Sequence, residues 1–148
     1  MAEAYIVEAV RTAGGKRAGR LAGWHPVDLG AEVLNAVVDR SGLDPAGVDD
    51  VIMGCVMQVG EQAFAFGRNA VLSSRLANST PAVTIDRQCG SSQQAVSFAA
   101  QAVMSGVQDV VIAAGSESMT RVPMFSNFTL HEKACLLYTS DAADEGLG

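Results

Sequence analysis

The chain has 148 residues, 49 % of them hydrophobic, and a net charge of -6 from 10 basic and 16 acidic side chains. That is one domain's length with enough apolar content for a core, and the acidic balance argues against a nucleic-acid partner. No run of about 18 apolar residues suggests a membrane span, and the opening "MAEAYIVEAVRT" lacks the basic and apolar blocks of a secretory leader.

Residues 4–10, "AYIVEAV", read as a short strand. A loop follows, "RTAGGKRAGRLAGW", with four glycines and four basic residues. His25 stands beside Pro26, a residue suited to the first turn of a helix, and reads as a cap or surface side chain. Val27, Ala31, Leu34 and Val38 then recur at helical spacing up to Gly42, which suits a helix stop. "VDDVIMGCVM" reads as a second strand and "FGRNAVLSSRLA" as a second helix. "AVTID" gives a third strand and "SSQQAVSFAAQAVMSG" a third helix, closed by Gly106. "DVVIAAG" gives a fourth strand, apolar enough to be buried on both faces. This alternation predicts an α/β layer whose strands are largely parallel. From Gln88 to Gln108 no charged residue occurs. The third helix therefore has no charged face for solvent and is expected to be enclosed on several sides.

The three cysteines, Cys55, Cys89 and Cys135, are widely spaced and odd in number. They form no disulfide framework and no CxxC metal pair, so no metal site is expected, and they fit a reduced, cytoplasmic protein. Cys55, inside "VIMGCVM", reads as a small buried hydrophobe. Cys89 is different. In "VTIDRQCGSSQQAV" it stands where a β-branched run hands over to a helix. The carboxyl ends of strands are where ligands sit in open α/β sheets. A helix N-terminus offers unpaired N–H groups and positive potential, which favour both a thiolate and an oxyanion beside it. Gly90 and the serines after it keep the approach open. The pattern suits a nucleophile toward a carbonyl or thioester. A helix terminus contributes only about 0.3–2 kcal/mol, so a fast nucleophile also needs a neighbouring base. The two histidines, His25 and His131, do not supply an obvious one.

At these residues the chain resembles the thiolases, the acyl-CoA acetyltransferases. "DRQCGSSQQAVSFAAQAVMSGVQDVVIAAGSESMTRVPM", residues 86–124, resembles the family's nucleophile motif, its helix, and the following strand with a Gly-x-Glu-x-Met segment. "AYIVEAVRTAGGK" and "VDLGAEVLNAV" resemble the start of a thiolase. The resemblance implies a thiolase-like N-terminal half: a mixed, mostly parallel sheet with helices on both faces. It implies that Cys89 takes an acyl group from a coenzyme A thioester, with its own backbone N–H in the oxyanion hole. It implies no cofactor beyond coenzyme A thioesters as substrate, and a homodimer or homotetramer in the full-length family. The family's activating Gly-His-Pro histidine, its second cysteine and its loop domain are absent. The expectation is an acyl-CoA C-acyltransferase sequence, truncated and inactive alone. The alternative is a non-catalytic thiolase-fold fragment that binds a partner half. A ketoacyl synthase fits "DRQCGSSQQA" less well. Lys16, Arg17 and Arg20 lack phosphate-loop spacing and read as a solvated loop, with a weak claim on a coenzyme A phosphate or a neighbouring subunit.

Residues 1–133 are thus expected to form an incomplete thiolase N-terminal domain. Residues 134–148 carry no such resemblance. "CLLYTSDAADE", residues 135–145, looks like a translated sequencing-library adapter. The reading frame is expected to be interrupted near Lys133 or Ala134, leaving Cys135 without function.

Overall fold

The computed structural model of the chain describes residues 3–129. His131, Cys135 and the tail from residue 134 lie outside the described residues.

Helix α1 runs from Pro26 to Ser41. Pro26 opens it, His25 Nδ1 accepts the Val27 N–H at 3.3 Å, and Gly42 closes it in the left-handed region at φ 69°. Asp28 in the first turn and Arg40 in the last complement the helix dipole. Its buried stripe is Val27, Ala31, Leu34 and Val38, as the spacing predicts. Strand β1 is Asp50–Gly54, helix α2 Phe66–Ser73, strand β2 Ala82–Ile85, helix α3 Ser91–Met104 and strand β3 Val111–Gly115. The strands are all parallel in the order β2-β1-β3, with Gly54 opposite both Ile85 and Gly115.

Alternation along β1 explains how one strand serves two layers. Val51 and Met53 pack with Leu34 and Val38 of α1 and with Phe66, Ala70 and Val71 of α2. Ile52, between them, packs with Ala95 and Ala99 of α3. The helices therefore lie on both faces, α1 and α2 against α3. Leu34, Met53 and Phe66 are fully buried, and each such side chain contributes roughly 1.5–3 kcal/mol. No helix among the described residues is long and apolar enough to cross a membrane.

Several elements differ from expectation. Residues 4–10 run without a sheet partner, with Tyr5, Ile6 and Val7 exposed. The outer edge of β3, where a further strand could pair, lies across a cleft of about 1290 Å³ from this segment. A strand needs a neighbour to accept its N–H groups, and here none is within reach. For the same reason β3 is half-buried rather than covered on both faces. Strand β1 is shorter than "VDDVIMGCVM" because Val56 and Met57 give their N–H groups to the Glu117 carboxylate, at 2.6 and 3.2 Å. Helix α2 stops at Ser73. The Ser74 hydroxyl donates to Val71 O and accepts the Leu76 N–H, a local turn that competes with helix. Helix α3 buries Ser91, Ala95 and Ala99 but leaves Val96, Phe98 and Met104 exposed, so one side is covered and the other is not.

Candidate active site

The three strands end side by side, at Gly54, Ile85 and Gly115, and the chain leaving β2 turns at once into α3. Cys89 sits in that turn as an exposed free thiol. Its neighbours fix the turn. Asp86 Oδ1 accepts the Gln88 N–H at 2.7 Å. The Gly90 N–H donates to Arg87 O at 3.0 Å and the Ser91 N–H to Gln88 O at 3.1 Å. Arg87 reaches forward to the Gln94 side chain. Gln88, just before the cysteine, holds φ 48°. A non-glycine residue there costs about 1–2 kcal/mol, so the surrounding bonds must hold it.

Helix α3 has no side-chain cap at its N-terminus. The Ser91 N–H is taken by the Gln88 carbonyl, and no side-chain oxygen offsets the positive end of the helix dipole next to the cysteine turn. The turn also approaches the strand ends closely. A Cβ on Gly54 would come 2.5 Å from Ser92 N, and one on Gly115 would come 1.9 Å from Ser92 Oγ. At Gly54 the contacts are to backbone, so only glycine lets the helix start this near the sheet, whereas at Gly115 the nearest atom is a serine hydroxyl that can rotate.

The other described cysteine is a contrast. Cys55 is buried just past β1, and its thiol is pushed up to about 12, first by burial and then by the negative charge of Glu117. It stays protonated and inert, as its apolar context predicts. Among the described residues the sole imidazole is His25. It caps α1 and its Nε2 lies 3.8 Å from Glu61, which is itself held by Arg121 at 2.5 and 2.7 Å. It is committed to that surface cluster. Lys16 and Arg17 line the large cleft, while Cys89 does not. Among the described residues no group of three or more His, Cys, Asp or Glu could hold a metal ion.

The structure thus adds what spacing alone did not reveal: the strained Gln88, the Ser91 hydroxyl within the turn, and the paired strand-end glycines. The serine two residues after the cysteine was a visible signal. The glycine pair was not, because Gly54 and Gly115 meet only through strand register. A further polar knot was also hidden. Gln62 is fully buried, donates to Met57 O and to Glu117, and accepts the Ser118 N–H.

The parallel α/β layer thus presents an exposed cysteine between a strand end and the helix after it. Residues 4–143 match the thiolase N-terminal domain, and the chain belongs to the thiolase family. It is 53 % identical over 133 residues to a steroid 3-ketoacyl-CoA thiolase of Mycobacterium tuberculosis, covering 90 % of this chain and 33 % of that relative. It is 44 % identical over 124 residues to a beta-ketoadipyl-CoA thiolase of Acinetobacter baylyi, covering 83 % and 31 %. It is 39 % identical over 146 residues to a 3-ketoacyl-CoA thiolase of Bacillus subtilis, covering 95 % and 37 %. The chain spans about a third of the length of these relatives.

Proposed function

We propose that this chain is the nucleophile-bearing part of an acyl-CoA C-acyltransferase of the thiolase type. The observation that carries this reading is the exposed Cys89 on the β2–α3 turn of a thiolase-family chain. In the step proposed, the Cys89 Sγ attacks the ketone carbon of a 3-ketoacyl-CoA. The carbon–carbon bond to the acetyl-CoA portion breaks, and that portion leaves as acetyl-CoA after taking a proton. The acyl group stays on sulfur as a thioester, and free coenzyme A then accepts it. Condensation of two acyl-CoA molecules is the same path reversed. The backbone N–H groups at the start of α3 favour the thiolate and the oxyanion. No cofactor is needed beyond the coenzyme A thioesters themselves. A reducing, cytoplasmic setting suits the thiol, and the whole enzyme is proposed to act as a homodimer or homotetramer.

Among the described residues no imidazole is free to act as the base, since His25 caps α1 and faces Glu61. We therefore infer that it does not turn over by itself. The second reading, a thiolase-fold fragment that binds a partner half without catalysis, is favoured by the open cleft and the uncovered side of α3. In the longer parent enzyme, Cys89→Ala should abolish thiolysis of a 3-ketoacyl-CoA, while the 148-residue chain should show no turnover. Thiolysis that survives Cys89→Ala would sink the reading.

A further inference from the structure

We propose that Ser91 is the positioning residue of the Cys89 turn, holding the thiol in line for acyl transfer from above the glycine pair Gly54–Gly115. This rests on the reading of Cys89 as the nucleophile. Ser91 is nearly fully buried. Its Oγ accepts the Arg87 N–H at 3.0 Å and donates to Gln88 O at 2.7 Å. One hydroxyl therefore ties the backbone on both sides of Gln88, the residue in the unfavourable left-handed region. Without it, two bonds that hold that conformation are lost, and the residue next in line to relax is Cys89. From below, the helix start cannot yield toward the sheet. Gly54 and Gly115 are register partners, and the Ser116 N–H bonds to Gly54 O at 3.2 Å. Ser92 lies directly on this pair, its backbone so close to Gly54 that no side chain fits there, and its hydroxyl against Gly115. The turn is clamped between a buried hydroxyl and two strand ends, and the thiol has no direct bond of its own to Ser91.

A simple alkylating agent needs only an accessible thiol. Transfer from a thioester also needs an aligned attack and N–H groups aimed at the oxyanion. The two reactions therefore separate positioning from mere folding. The probes are iodoacetamide and phenyl thioacetate, applied to the 148-residue chain with peptide-mapped mass spectrometry. In the second reaction Cys89 Sγ attacks the carbonyl carbon, the carbon–sulfur bond to the phenylthio group breaks, thiophenolate leaves, and the thiol proton goes to buffer. Ser91→Ala should slow acetylation of Cys89 about tenfold and change its alkylation less than twofold, while Ser91→Thr keeps the wild-type rate. Equal acetylation rates in wild type and Ser91→Ala, or a parallel change in both reactions with Cys55 still unreactive, would overturn the inference. Should Ser91→Ala unfold, seen as Cys55 becoming reactive, the shape-matched pair Ser91→Thr and Ser91→Val gives the answer. Slow acetylation in the valine variant alone supports the hydroxyl's role, and equal rates refute it. Wild-type acetylation no faster than that of the urea-unfolded chain would instead refute the nucleophile reading itself.

Discussion

Cys55 and Cys89 are the same residue in opposite settings, and the contrast yields a prediction. Burial beside Glu117 pushes the Cys55 thiol from its ordinary value of 9.0 up to about 12. In the unfolded chain the thiol ionises near its ordinary value, while the folded chain keeps it neutral to about 12. Its contribution to stability is therefore fully present below 9.0 and lost progressively as pH rises toward 12. Urea unfolding at pH 8 and pH 11 should show a smaller alkaline loss in Cys55→Ala than in wild type. An identical loss in both would show that this thiol does not set the alkaline limit. The burial of Cys55 was legible in "VIMGCVM", an apolar run that leaves a small thiol no exposed side. The carboxylate beside it was not legible, because Glu117 lies 61 residues beyond Val56, whose N–H it accepts. Glu61 behaves oppositely. The hydrogen bonds from Arg121 hold its carboxyl below the usual 4.5. The stability this contact adds is present above that value and fades as pH falls through the folded one. In acid titration Glu61→Gln should remove a small part of the slope below pH 4.5 and none above it; an unchanged acid limb would count against the Arg121 contact.

At the scale of elements, the loops after β1 and β3 are joined by Gln62 and Glu117 rather than by apolar packing. Gln62→Leu keeps most of the volume but leaves the Ser118 N–H without its partner and removes one donor from Glu117 and one from the Met57 carbonyl, which keeps the Val59 N–H. Buried groups left unpaired cost about 1–3 kcal/mol each. The variant should lower stability by about 1–3 kcal/mol, read as a lower urea midpoint with an unchanged slope. An unchanged midpoint would mean that water replaces the amide freely. The helix starts were readable because their signals are local: Pro26 with His25 for α1, and the switch from "VTID" to "SSQQAV" for α3. The strand expected at residues 4–10 does not form. A strand's existence depends on a neighbour, and pattern carries no information about whether that neighbour is near. Glu117 belonged to the segment resembling the family motif, yet its task as acceptor for Val56 and Met57 emerges only once β1 and β3 lie side by side.

For the molecule as a whole, the question is what a sheet of three strands leaves uncovered. The edge of β3 faces the cleft, and the N-terminal segment beyond it exposes Tyr5, Ile6 and Val7 at 76, 81 and 74 %. Val96, Phe98 and Met104 are exposed on a helix without one charged residue. Exposed apolar side chains in this number favour association, and an unpaired strand edge adds backbone groups ready to pair. The lack of charge from Gln88 to Gln108 had already implied a helix meant for enclosure, and the structure shows that this chain encloses only one side of it. The isolated chain should therefore bind an apolar dye and sediment as a concentration-dependent mixture rather than as one species. Substituting Phe98→Gln and Met104→Gln together should reduce both effects without lowering the melting temperature, since neither side chain belongs to the buried clusters. A monodisperse, dye-free wild-type monomer across a hundredfold concentration range would contradict this. So would a double variant that melts early, which would place these side chains in the core instead of on the open side of the helix.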